Sequence, residues 1–171
     1  DKNRSNIGFV KRVLRDNKEE IKCGTKWFIP TSYKKEDHIK MANMLFKKKF
    51  NVMILNGDGV TIYDRKTGEL YNEPKTKEPV QLIPDLYEKY KLDSHPFALT
   101  GNLCIERGIT IINLERNFQC DHNIMPYELS DESKISQIAG RVKGNYRHYE
   151  NFKIPIVYCT DRFDQKAFSS E

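Results

Sequence analysis

Two short stretches concentrate the residue types that handle anions. Leu99-Thr-Gly-Asn-Leu-Cys-Ile-Glu-Arg-Gly-Ile-Thr110 is an apolar run that breaks into a Thr-Gly-Asn turn and then carries an Arg-Gly pair. A hydroxyl and backbone amides at a strand end suit an anion without burying a charge. Thr100, Gly101 and Asn102 are therefore candidate phosphate contacts. Gln137-Ile-Ala-Gly-Arg-Val-Lys-Gly144 sets Gln137 and Arg141 four residues apart, on one face of a short helix that glycine ends. Thr31 and Ser32, which follow Lys26-Trp-Phe-Ile-Pro30, offer a further pair of hydroxyls, either to a phosphate or to the start of a helix. The sequence contains no Gly-x-x-x-x-Gly-Lys-Ser/Thr loop, so nothing in it cradles phosphates around a lysine.

Other reactive side chains form no recognisable set. His38, His95, His122 and His148 are dispersed without metal-site spacing, and no Ser–His–Asp or Cys–His arrangement can be assembled. Cys23, Cys104, Cys120 and Cys159 include no Cys-x-x-Cys pair, which predicts reduced thiols in an intracellular protein. Lys34, Lys35, Lys47, Lys48 and Lys49 make one helix basic, by default a solvated face. Tyr63 and Tyr71 either cover a core edge or stack on bases.

The elements that must position these residues alternate between strand and helix. Residues 4–22 carry Ile7, Val10 and Leu14 at helical spacing. Lys26–Pro30 reads as a strand, capped by Thr31–Ser32 into a helix from Tyr33 to Lys49 with Ile39, Ala42, Leu45 and Phe46 facing inward. Asn51–Leu55 is a buried strand ending at Asn56-Gly-Asp-Gly59. Val60–Tyr63 and Glu69–Tyr71 form a hairpin, an insertion over 60–71, with Gly68 at its turn. Val80–Lys91 is an amphipathic helix whose Pro84 is tolerable only in the first turn. Phe97–Thr100 and Thr110–Leu114 are strands, residues 115–130 a polar loop, Asp131–Ala139 a helix and Lys153–Thr160 a last strand. This alternation predicts an α/β fold, a mostly parallel sheet with helices on both faces in three layers. Ligands on such sheets sit at the carboxyl ends of the strands, where Thr31, Ser32, Asn56, Gly57, Thr100 and Gly101 all fall.

Composition sets bounds on this picture. The chain of 171 residues is 38% apolar, enough for one core and one domain, 1–171. Its net charge of +5 permits a nucleic-acid partner without requiring one. No apolar run approaches the ~20 residues that span a bilayer, so no membrane partner is expected. The chain opens on Asp1 rather than methionine, which predicts a domain excised from a longer protein.

Residues 97–110 and 131–144, in that order, resemble motifs V and VI of superfamily 2 helicases and translocases, found in their second, C-terminal RecA-like lobe. Trp27–Ser32 is similar to the motif IV region, and Ile54–Asp58 stands where that lobe has a strand ending in a glycine turn. The resemblance spans roughly residues 23–160. It implies a three-layer RecA-like fold and an ATP-dependent motor working on single-stranded DNA or RNA, in the cytoplasm or nucleus. The partner it implies is an N-terminal RecA-like lobe of the same parent chain. That lobe would hold most of the ATP and Mg²⁺, so neither is expected on this domain alone, nor is ATP hydrolysis.

Residue by residue, the resemblance makes Arg141 the arginine finger and places Gln137, Gly108 and Thr110 at the nucleotide. It places Thr31, Ser32, Thr100, Gly101 and Asn102 on the nucleic-acid backbone. Two positions depart from the pattern. Gly144 stands where relatives often have a second arginine, and Thr110 where many have an aspartate against the ribose. These departures keep open an alternative, a RecA-like module that binds nucleic acid or a protein without an ATP cycle. The Asn-, Lys-, Tyr- and Ile-leaning composition points to a viral or mobile-element source.

Overall fold

The computed structural model describes residues 2–102, 112–113, 116, 118–125 and 155–158. Seven strands form one sheet in the order β4-β3-β2-β5-β1-β8-β9: β1 is Lys26–Pro30, β2 Asn51–Asn56, β3 Gly59–Asp64, β4 Glu69–Glu73, β5 Phe97–Gly101, β8 His122–Ile124 and β9 Ile156–Tyr158. A separate two-stranded ribbon pairs β6 (Ile112–Asn113) with β7 (Phe118–Gln119). The four pairings β2–β5, β5–β1, β1–β8 and β8–β9 are parallel, while β2–β3 and β3–β4 are antiparallel. The fold is α/β with a mostly parallel sheet, as the alternation predicts.

The central strands are nearly continuous apolar runs because both sheet faces are covered. On one face Trp27, Ile29, Val52, Ile54 and Ala98 meet Val10 and Leu14 of α1 (Lys2–Asp16) and Met41, Ala42 and Leu45 of α2 (Lys35–Lys47). On the other, Phe28, Met53, Leu55, Phe97 and Leu99 meet Leu82, Ile83 and Leu86 of α3 (Pro79–Lys89). Helices thus lie on both faces, giving three layers. No helix among the described residues is long and apolar enough to cross a membrane.

Several expectations need correction. The first helix ends at Asp16, not near residue 22, because the Asn17 side-chain amide donates to the Val13 carbonyl (2.8 Å) and a 3-10 turn, Lys18–Glu20, follows. In α2 the inward stripe is His38, Met41, Ala42 and Leu45; Ile39 is 50% exposed and Phe46 only partly buried. Pro84 lies inside α3, five residues beyond its Pro79 start, and is buried. Residues 115–130 are not simply a loop, since β7 and β8 fall among them and β8 pairs with β1 in the main sheet. The helix expected over Asp131–Ala139 lies outside the described residues.

The hairpin expected over 60–71 is continuous with the sheet, with β3 paired directly to β2. Gly68 takes φ +73° at its turn. Tyr63 is buried, and the Tyr71 ring lies 4.9 Å from that of Tyr90, so both tyrosines cover a core edge. Glu73 accepts from Lys89 Nζ (2.8 Å) and from the Tyr90 hydroxyl, clamping β4 to the end of α3. These two bonds hold the Glu73 carboxyl below its ordinary value of 4.5. The carboxylate therefore adds stability above that ordinary value, and the contribution disappears as pH falls through the lower, folded value. Glu73→Gln should lower the urea midpoint at pH 7 yet converge with the parent protein well below pH 4.5. A constant difference across that range would separate the clamp from the charge.

Candidate functional site

The carboxyl ends of β2, β5 and β1 lie level, with Leu55 and Pro30 both opposite Gly101. This register brings Thr31–Ser32, Asn56–Gly57 and Thr100–Asn102 to one edge of the sheet. Gly101 sits at its centre with φ +126°, and a Cβ there would lie 2.1 Å from the Leu55 carbonyl oxygen. Only glycine permits so close an approach of two backbones. The Gly101 carbonyl accepts from both the Thr31 amide (3.0 Å) and the Thr31 hydroxyl (3.3 Å), tying the loop after β1 to the end of β5.

A chain of hydrogen bonds joins the neighbouring loops. His38 is 1% exposed in the first turn of α2. Its Nε2 lies 2.7 Å from the Ser32 carbonyl and its Nδ1 3.3 Å from Asn56 Nδ2. A carbonyl can only accept and an amide NH₂ only donate, so the pairing assigns Nε2 as the donor and Nδ1 as the acceptor. Asn56 Oδ1 in turn accepts the Asp58 amide (2.9 Å), and Lys35 Nζ pairs with Asp58 at 2.7 Å. The Ser32 hydroxyl accepts the Lys34 amide (3.2 Å) and donates to Asp37 (2.6 Å). Thr31 and Ser32 are therefore not the N-cap of α2. That position is Lys34, which makes no side-chain cap bond; Ser32 steadies the first turn from two residues upstream.

The expected backbone contacts thus differ from one another. Asn102 is exposed at the edge and Ser32 is half-buried. Thr31 and Thr100 are buried. The Thr31 hydroxyl is spent on Gly101, and Thr100 lies in register between Ile29 and Ile54 with its Oγ1 unpartnered. The start of α2 carries Glu36 and Asp37, which oppose an anion at that helix end. Gln137, Arg141, Gly108 and Thr110 lie outside the described residues. Among the described residues no group of three or more His, Cys, Asp or Glu could hold a metal ion.

Sequence reasoning passed over His38, although a readable signal existed. Positions 38, 41, 42 and 45 form an i, i+3, i+4, i+7 stripe, which puts the imidazole on the buried face. It also passed over the packing of β8. His122 stacks on Trp27 (ring centroids 4.1 Å apart), while Asp121 accepts the Lys26 amide at 3.0 Å. Asn123 beside it is buried with both amide atoms unpartnered. Burial pushes the Cys120 thiol up to about 12, so that sulfur is inert as a nucleophile.

No protein-family model, curated protein or solved structure matches this chain.

Proposed function

We propose that this chain is the second RecA-like motor lobe of an ATP-dependent superfamily 2 helicase or translocase acting inside the cell. The observation that carries the reading is the level edge formed by β2, β5 and β1. It gathers Thr31–Ser32, Asn56–Gly57 and Thr100–Asn102, the segments similar to motif IV, the glycine turn and motif V. On this reading a single DNA or RNA strand runs along that edge. The strand is held by Asn102, by Ser32 and by loop amides rather than by the buried hydroxyls of Thr31 and Thr100.

ATP and Mg²⁺ belong between this lobe and an N-terminal lobe carrying the phosphate loop. Arg141 supplies charge to the reacting phosphates, with Gln137, Gly108 and Thr110 nearby. Gly144 and Thr110 favour the second reading, a module that binds nucleic acid or a protein partner without hydrolysing ATP, and turnover by the full-length protein decides between the two.

Wherever a strand is bound, its phosphates draw on nearby cations, so binding responds to salt. Asn102, Ser32 and the loop amides are neutral, so counterion release falls to lysines beside the edge, such as the exposed Lys34. About three such cations, each neutralising a phosphate of a single strand, would make affinity fall roughly twentyfold between 50 and 200 mM salt. Fluorescence anisotropy with single-stranded DNA and RNA oligonucleotides is the measurement. Absence of binding at low salt, or affinity indifferent to salt, would overturn the assignment.

A further inference from the structure

A trough of about 380 Å³ opens beside the strand ends, between the first turns of α2 and the β2–β3–β4 side of the sheet. Ile39 of α2 and Leu70 of β4 line it, 50% and 56% exposed and, among the described residues, two of the large hydrophobic side chains left open to solvent. Ile54 and Tyr63 line it as well. Within this apolar frame stand amides and a hydroxyl. The Thr61 hydroxyl donates to Asn72 Oδ1 (3.1 Å), which leaves the Asn72 amino group as a donor on the wall.

The charges at the rim are already compensated. Asp58 pairs with Lys35, and Glu73 with Lys89 and the Tyr90 hydroxyl. The size is that of a small-ligand site. Two apolar walls, an amide donor and no free charge suit a flat, neutral ring with carbonyl or ring-nitrogen acceptors at its edge.

We propose that the trough takes an unpaired nucleobase, inserted between Ile39 and Leu70 with an acceptor on its edge meeting Asn72. The inference rests on the strand-binding reading above and adds where a base goes. Asn56 belongs both to the trough and to the edge along which the backbone runs, so one nucleotide bridges the two. Tyr33, 75% exposed and two residues before the trough-lining Lys35, offers an aromatic face, and the exposed Lys34 a cation. An apolar side chain of a protein partner would fill the same walls but make no use of the exposed Asn72 donor. Every base carries an acceptor, so the site takes a base without reading sequence.

The test compares a single-stranded oligothymidylate with an abasic strand of equal length. The wild-type protein should bind the intact strand about tenfold more tightly, ~1.4 kcal/mol. Joint Ile39→Ala and Leu70→Ala should weaken the intact strand by that factor and leave the abasic strand unchanged. Both side chains are half-exposed, and a thermal melt checks the fold. Asn72→Ala is the second variant, expected to lose part of the same preference. Equal binding of the two strands by the wild-type protein would overturn the base site and leave the backbone reading standing. Variants that bind both strands like the wild type would give the trough to another occupant, such as a protein side chain. Failure of either strand to bind would sink the strand-binding reading itself, and this inference with it.

Discussion

Alanine at Gly101 is expected to remove a large share of the protein's folding stability. The backbone there has φ +126°, a conformation that costs an L-residue about 1–3 kcal/mol by itself. The larger effect is steric. A Cβ placed 2.1 Å from the Leu55 carbonyl oxygen must be relieved by more than 1 Å of movement between two adjacent central strands. The atoms in the way are backbone, so no side-chain rotation can help. β5 is also registered to β1 at this residue, and its carbonyl receives two bonds from Thr31. Separating β2 from β5 therefore strains β1 as well. A total cost of at least about 4 kcal/mol is a large share of the ~5–15 kcal/mol that holds a domain together. Gly68→Ala is the matched control. It has a left-handed φ of +73° with nothing within 4 Å of the added carbon, so it should cost only ~1 kcal/mol. Urea titrations of the two variants check this contrast. Equal midpoints would mean that β2 and β5 do not approach as closely as described.

The parallel core was legible because its strands are short apolar runs bounded by turns. Lys26–Pro30, Asn51–Leu55 and Phe97–Thr100 end within a residue of the observed strands, and their burial on both faces explains why the pattern is so plain. The facing of α2 was harder, because Ile39 looks like a core residue while His38 does not. Two well-placed partners, the Ser32 carbonyl and the Asn56 amide, reverse that order by satisfying both imidazole nitrogens. β8 was illegible for a related reason. Asn, and the Asp just before the strand, are poor strand formers, and His122 is placed by stacking on Trp27, ninety-five positions earlier in the chain. The level strand ends were readable from element order alone. What those ends expose was not, since the Thr31 hydroxyl turns to the Gly101 carbonyl instead of outward.

The largest functional effect is expected at Arg141. Replacing it with alanine in the full-length natural protein should reduce nucleic-acid-stimulated ATP turnover by about 10³–10⁵, equivalent to ~4–7 kcal/mol of transition-state stabilisation. A guanidinium stays charged at every working pH and meets two phosphate oxygens with two parallel donors. Charge developing on the transferred phosphoryl group is what such a donor pair neutralises. Arg141→Lys keeps the charge and loses the fork, so it should recover only part of the rate. Lys143 and Arg147 carry charge nearby but at other positions, and their alanine variants should cost far less. The competing description makes Arg141 a surface arginine paired with a carboxylate such as Glu132, in which case alanine would shift the melting temperature slightly and spare turnover. Measuring both quantities on one variant separates the two. Loss of turnover with an unchanged melt and unchanged strand binding assigns the finger, whereas near-normal turnover removes Arg141 from the chemistry. A wild-type protein that binds strands and never turns over ATP would instead identify the module in which Gly144 and Thr110 have replaced the catalytic pattern.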